Sequence, residues 1–349
     1  MANMTQALRM ALHYGEEHLE LRDIFGEDVG PPLGGVFTAT QGLKTAWNSP
    51  LDERGIVGTA IGIAMTGQRC VAEIQFVDYI FNTIDLLKTA GNTLWAGNGQ
   101  FPLPLVLMTP NGAGIHGAIY HSHSFDTWGV RLPGWKVVSP SNAKDAYGLM
   151  LSAILDPNPV LYLKPKALLR VKTPELIPGE PEDQKQLKEM IDAPVGEERK
   201  NWKPQWPKLE KYTVPIGKGS IVQEGEELTV VSFGRSLHLC KQALSSLSLS
   251  VELIDLRSLY PYDWTLIKSS VQKTKRLLIV NEDTEVANFG EHLALRAVQE
   301  GFYHLLAPPR VLSGKQVPGV GLHNNLESAT VPQVKDIQSE IKNLIETKW

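Results

Sequence analysis

Apolar residues cluster in short runs at 23–26, 71–76, 104–109, 136–139 and 160–163, each closed by turn residues. Runs without polar alternation predict strands buried on both faces, as in a parallel sheet. Between them, Ile80, Ile84, Leu87 and Leu94 recur at helical spacing. Another helix is predicted over 143–155, with Ser141 or Asn142 at its N-cap. A second series of strands is predicted at 228–233, 251–256, 277–280 and 310–312, with helices near 235–247, 263–272, 289–304 and 332–346. This alternation predicts an α/β protein of two doubly wound domains, over 1–171 and 211–349. The stretch between them, 172–210, carries Pro174, Pro178, Pro181, Pro194, Pro204 and Pro207 amid many charges. It reads as a linker with structured pieces: a short helix at 182–191, and Trp202 and Trp206 pinned to a surface.

A length of 349 residues agrees with two domains. A net charge of −4 gives no sign of nucleic-acid binding. The two cysteines, Cys70 and Cys240, lie in distant apolar runs and read as buried thiols of a reducing compartment. Residues 1–20 lack the apolar core and cleavage site of a signal peptide. No apolar run reaches the roughly 18–20 residues of a membrane span.

Three stretches carry candidate chemistry. In the first, Glu53 precedes the glycine-rich helix 55–67, and Gln75 and Tyr79 follow a strand. A carboxylate near an aromatic ring suits a stacked nitrogen heterocycle, although an acid at a helix start is also ordinary dipole complementarity. Gly58 and Gly62, one turn apart, lower helix propensity and point to close approach by another backbone, such as a helix across a subunit interface. The second stretch, Gly114 to Ser124, holds His116, His121 and His123. It reads as a loop presenting one or two catalytic histidines, with surface histidines or a zinc site as alternatives. The third, Gly26-Glu-Asp-Val-Gly30 to Gly35, follows the first strand, where α/β folds bind ligands, but it lacks a dinucleotide fingerprint.

Together these motifs resemble the beta subunit of the thiamine-diphosphate-dependent decarboxylating component of 2-oxo acid dehydrogenase complexes. The resemblance spans nearly the whole chain. It runs through Gly26-Glu-Asp-Val-Gly30, Pro50-Leu-Asp-Glu53, Gly55-Ile-Val-Gly58, Glu73-Ile-Gln-Phe76, Pro110-Asn-Gly112, Tyr120-His-Ser122, Lys136-Val-Val-Ser139, Ile254-Asp-Leu-Arg257 and Pro332-Gln-Val-Lys-Asp-Ile337. It implies a transketolase-like pyrimidine-binding domain followed by a transketolase C-terminal-like domain. Tyr120-His121-Ser122 and the stretch 73–79 are more similar to the branched-chain (2-oxoisovalerate) type than to the pyruvate or acetoin types. The resemblance implies that Glu53 hydrogen-bonds the coenzyme's aminopyrimidine and so promotes loss of the thiazolium proton. Tyr79 would stack on the pyrimidine, Gln75 and Leu51 would line its pocket, and His121 would face substrate or lipoyl group. His123 departs from a glutamine common in the family.

No Gly-Asp-Gly occurs in the sequence. In relatives that tripeptide opens the motif that holds magnesium and the diphosphate, so the resemblance implies that an alpha subunit supplies this half, in an α2β2 heterotetramer. It also implies potassium at Leu105, Ala153, Ile154, Asp156 and Asn158, a stretch that otherwise reads as a capped helix end. Further implied partners are the lipoyl domain and the subunit-binding module of a dihydrolipoyl acyltransferase. The acidic residues Glu282, Asp283 and Glu285 are a candidate docking cluster for that module, or an ordinary solvated loop. No nucleic acid or membrane partner is expected. The expected compartment is the bacterial cytoplasm, or the mitochondrial matrix after loss of a presequence. Two other classes stand against this reading: a non-catalytic scaffold subunit, and a zinc hydrolase built on the histidines.

Overall fold

The structure, a computed structural model, describes residues 1–347; Trp349, the expected end of the second domain, lies outside them. The chain divides into two compact units. The first comprises 1–110, 132–164 and 168–216; the second comprises 111–131, 165–167 and the chain from 217 onward.

In the first unit, β1 (Leu21–Gly26), β2 (Ala46–Asn48), β3 (Arg69–Glu73), β4 (Leu105–Asn111), β5 (Lys136–Val138) and β6 (Val160–Pro165) lie in the order β5-β6-β4-β3-β1-β2. The β1–β2, β1–β3, β3–β4 and β5–β6 ladders are parallel. Every residue of β4 and β6 is buried, which is why these strands read as continuous apolar runs. The edge strand β2 has no such run and escaped prediction.

So did the helix Met4–His18. Its buried face includes Thr5, Gln6 and Arg9, and buried polar residues blur the apolar period. It packs against Ala143–Leu155, whose N-cap Asn142 accepts from the Asp145 N–H as expected.

The proline-rich segment expected as a linker folds onto the first unit. Its helix Gln184–Ile191 sends Leu187 and Ile191 into the core, and Trp206 stacks on His13 with centroids 4.1 Å apart. The prolines interrupt regular structure without preventing burial of the apolar residues between them.

The second unit orders β7 (Ser220–Gln223), β8 (Leu228–Ser232), β9 (Val251–Asp255), β11 (Leu277–Thr284) and β12 (Arg310–Gly314) as β12-β11-β8-β9-β7, with a short β10 (Ser258–Tyr260) following β9. Edge strand β7 is antiparallel to β9; the other ladders are parallel. The last helix runs Val334–Glu346 and is preceded by a separate helix, Asn324–Thr330. Cys70 and Cys240 are buried and unpaired, and burial pushes each thiol up to about 12. Among the described residues, no helix is long and apolar enough to cross a membrane.

Candidate active site

In the first unit the chain leaves β1 toward β2 on one side and continues from β3 to β4 on the other. The crevice beyond the carboxyl ends of β1 and β3 is therefore the sheet's topological switch point, the place where doubly wound folds bind ligands. Three connections converge there. Glu27 and Asp28 follow β1, the turn 49–52 leads from β2 into Glu53, and Gln75 to Tyr79 follow β3.

Gln75 Nε2 donates to Asp28 Oδ2 at 3.1 Å, and the Ser49 N–H donates to the Gly26 carbonyl at 3.0 Å. Glu53 is the first residue of the helix Glu53–Met65, and its Oε2 accepts a long 3.4 Å contact from Asn82 Nδ2. Burial, then Asp28, then Glu53 raise the Glu27 carboxyl above its ordinary range. Burial, then Asp78, Glu53 and Glu27 raise the Tyr79 phenol. The structure thus gathers Glu53, Gln75 and Tyr79 into one electrostatic neighbourhood. Leu51 stands 72% exposed on the turn before Glu53. A Cβ built on Gly58 or Gly62 meets nothing within 4 Å, so the close backbone approach expected there does not come from within the chain.

The sequence reading did not single out Glu27 and Asp28. Their signal was the glycine loop after the first strand, too generic to weigh alone. It also missed the fully buried pair Glu73–Lys164 beneath this crevice, at the ends of β3 and β6. Lys164 Nζ bonds Glu73 Oε2, and Glu73 Oε1 accepts the Val36 N–H at 2.9 Å. A lone lysine in an apolar strand gives no sequence cue to its partner 91 residues away.

The histidine loop belongs to the second unit and occupies that unit's own switch point, between β8 and β11. Glu282 Oε2, on β11, accepts the Ala113 N–H at 2.7 Å. Arg235, just past β8, reaches Glu282 Oε1 at 3.3 Å, and its Nε lies 2.6 Å from where a Cβ on Gly114 would sit. Buried Glu327 accepts the Gly114 and His116 N–H groups at 2.5 and 3.0 Å, and its Oε2 stands 3.1 Å from His116 Nδ1. His121 follows the short turn Ala118–Tyr120 and is half-buried; His123 returns its carbonyl to the Gly112 N–H. Among the described residues, no group of three or more His, Cys, Asp or Glu side chains is placed to hold a metal ion.

This arrangement corrects the reading of Glu282, Asp283 and Glu285 as either a docking cluster or a solvated loop. Glu282 grips the loop as above, and buried Asp283 accepts the Thr127 N–H at 2.9 Å. Of the three only Glu285 is on the surface side, accepting from Gln316 N. Two of the expected charges face inward because the backbone N–H groups of the loop require acceptors.

Of the five residues expected at a cation site, Ala153, Asp156 and Asn158 are joined by hydrogen bonds. The Leu103 N–H at the foot of β4 donates to the Pro157 carbonyl at 2.8 Å, and Asp156 N donates to the Ala153 carbonyl at 3.3 Å. Asp156 Oδ1 accepts from Asn158 N and Nδ2 at 3.0 and 3.1 Å, while Oδ2 is ion-paired with Lys136.

Residues 1–172 match the family model of the transketolase pyrimidine-binding domain, and 217–337 match that of the transketolase C-terminal domain. A mitochondrial 2-oxoisovalerate dehydrogenase subunit beta 2 from Arabidopsis thaliana is 36% identical, with 90% of this chain and 82% of that one aligned. The chain belongs to the family of thiamine-diphosphate-dependent 2-oxo acid dehydrogenase beta subunits. A second member, the 2-oxoisovalerate dehydrogenase subunit beta of Bacillus subtilis, is 32% identical over 93% of this chain and 92% of its own. A pyruvate dehydrogenase E1 component subunit beta from Acholeplasma laidlawii is 32% identical over 99% and 98%. Among solved structures, a split-gene transketolase described as an inactive β4 tetramer shares the fold of this beta subunit: TM-score 0.69, 16% identity, 99% of this chain and 98% of that one covered. Residues 173–216, between the two matched regions, fall in neither family model.

Proposed function

We propose that this beta subunit binds and activates the pyrimidine end of thiamine diphosphate for oxidative decarboxylation of a branched-chain 2-oxo acid, with acyl transfer to lipoamide. The observation that carries the reading is the first unit's switch point, where Glu53, Gln75 and Tyr79 share a crevice whose rim is exposed. The residues fit the heterocycle. The Glu53 carboxylate can hold a proton against a ring nitrogen, the Tyr79 ring and Leu51 offer apolar faces, and Asp28 tethers Gln75. They do not fit the diphosphate. Glu27, Asp28, Glu53 and Asp78 give the crevice a negative field that disfavours a second anion. The diphosphate and its magnesium therefore fall to an alpha subunit, and the open face at Gly58 and Gly62 suits the helix of a neighbouring chain in an α2β2 assembly. When bound, the coenzyme supplies the electron-accepting ring that decarboxylation requires. A positioned proton transfer of the kind assigned to Glu53 gives about 10²- to 10⁴-fold in rate.

His121 is assigned to the substrate or lipoyl side, on the loop that Glu282 and Glu327 hold. Lys136 already neutralises Asp156, so a potassium ion at that turn would draw on the backbone oxygens of Leu105, Ala153 and Ile154. The lipoyl domain and binding module of an acyltransferase are the further partners, in the bacterial cytoplasm or the mitochondrial matrix.

The test uses the pair reconstituted with its alpha subunit. Glu53→Gln is expected to assemble and to bind coenzyme, yet to lose about 10²-fold or more of its decarboxylation rate. Turnover within threefold of the parent would overturn the role of Glu53. Turnover of 3-methyl-2-oxobutanoate above that of pyruvate supports the branched-chain assignment; the reverse order reassigns the substrate.

A further inference from the structure

Residues 173–216 fall in neither family model, yet part of this segment lies against the loop that borders the coenzyme crevice. We propose that this segment is a strap that sets the glycine loop 26–41, with Asp192 and Arg199 as positioning residues for the coenzyme side of the site; the proposal rests on the coenzyme reading above.

The contacts run from the core outward. Arg9, only 1% exposed, donates from Nη1 to the Ile191 carbonyl at 2.6 Å and to Asp192 Oδ1 at 2.9 Å. The same guanidinium donates to the Thr38 carbonyl from Nε at 3.0 Å and to Thr38 Oγ1 from Nη2 at 3.1 Å. Asp192 is anchored in turn by Gln6 Nε2 at 3.0 Å. Thr38 and the preceding Phe37 have φ of 65° and 58°. That left-handed geometry costs on the order of 1–3 kcal/mol per non-glycine residue and persists only where surroundings enforce it. Arg9, locked to the strap, is what grips Thr38.

Three further hydrogen bonds hold the rest of the loop. The Ala193 N–H donates to Gln41 Oε1 at 3.1 Å, and Arg199 Nη2 donates to the carbonyls of Leu33, at 3.1 Å, and Pro32. Beyond the loop, Pro204 lies so near Gly42 that a Cβ there would stand 2.8 Å from its ring.

The loop passes this restraint to the crevice through its own backbone. The Gly35 N–H donates to the Asp28 carbonyl at 2.7 Å, Thr40 Oγ1 donates to the Val29 carbonyl at 2.7 Å, and Asp28 Oδ2 holds Gln75 at 3.1 Å. Hydrogen bonds and the short backbone step from Leu33 to Gly35 thus connect the segment to the crevice, from Arg199 to Asp28 and Gln75.

Arg199→Ala removes a partly exposed side chain and leaves the core packing of Leu187 and Ile191 in place. In the chain reconstituted with its alpha subunit, the expected result is an unchanged melting temperature. Amide hydrogen exchange at 33–41 should quicken, and thiamine diphosphate affinity by calorimetric titration should weaken, each about five- to tenfold, the scale of one ordinary hydrogen bond. Turnover at saturating coenzyme should stay within twofold, and Arg199→Lys should recover part of the affinity. Asp192→Asn should move affinity in the same direction. Faster exchange with unchanged affinity, or unchanged exchange, would overturn the strap. If the unaltered pair binds no thiamine diphosphate, the coenzyme reading falls and takes this proposal with it; if it binds and Arg199→Ala binds equally well, the strap alone falls.

Discussion

Lys164→Met tests the physical foundation of the crevice. Lys164 and Glu73 are fully buried and directly bonded, and Glu73 has one further donor, the Val36 N–H at 2.9 Å. Methionine fills most of the lysine's volume, so the substitution removes charge rather than packing. Glu73 would be left as a buried carboxylate with one backbone donor. Removing one partner of a buried pair typically destabilises by about 3–5 kcal/mol, because the remaining charge has lost its water and has no counter-charge. At about 2–4 °C per kcal/mol for a unit of this size, the first unit should melt roughly 6–20 °C lower. Glu73→Gln combined with Lys164→Met should recover most of that loss, since a neutral amide still accepts from Val36 and no ion remains to be desolvated. The assay is a double-mutant cycle by urea denaturation, followed by tryptophan fluorescence and near-ultraviolet circular dichroism, so that the two units' transitions can be separated. A single-variant loss under about 1 kcal/mol, or simple additivity of the two substitutions, would refute the claim that the pair acts as a unit.

Two more outcomes follow from the geometry. Gly58→Ala meets no atom within 4 Å, so the isolated chain should gain up to about 1 kcal/mol, while assembly with the alpha subunit weakens by size-exclusion analysis; unimpaired assembly would remove that face from the interface. Asp126 is buried, and desolvation, then Asp283, then Glu282 raise its carboxyl well above the ordinary range, while Asn111 Nδ2 donates to it at 3.0 Å. A raised folded-state value means that the native chain holds a proton the unfolded chain releases, so stability is lost as pH climbs from the unfolded value near 4. Asp126→Asn keeps an acceptor for Asn111 and cannot ionise. Its melting temperature should rise relative to the parent between pH 5 and 8, and parallel pH curves would count against the assignment.

How much could be read from sequence depended on whether a feature announces itself locally. The buried strands β4 and β6 did, because parallel strands covered on both faces are apolar without interruption. Glu53, Gln75 and Tyr79 were singled out through motif likeness, and the structure places the first after β2 and the other two after β3, the strands on either side of β1. What stayed hidden was long-range pairing. The partners of Arg9 lie 29 and 183 residues away, and Glu327 meets His116 from 211 residues away, so no local pattern could show them. In the proline-rich segment the helix and the pinned Trp206 were legible, but the burial of Leu187 and Ile191 in the core was not. Proline density reports the loss of regular backbone, not the loss of burial, and Leu187, Ile191 and Trp206 find their contacts without it.

The two units share a doubly wound topology but use their switch points in opposite ways. In the second unit the crevice is filled by the chain's own backbone: Ala113, Gly114 and His116 donate to carboxylates of Glu282 and Glu327, and Arg235 offsets part of that charge. A ligand would have to displace bonds to buried carboxylates, each worth about 1.5–3 kcal/mol. That site therefore serves to hold the loop carrying His121. In the first unit no such plug exists among the described residues. Leu51 is exposed, Glu53 is half-buried, and a Cβ at Gly58 or Gly62 of the following helix would meet no atom of the chain within 4 Å. Leaving Leu51 exposed and placing two glycines in the helix costs stability in an isolated chain, through lost burial and lower helix propensity. On the proposed function, a neighbouring polypeptide that covers these positions offsets that cost.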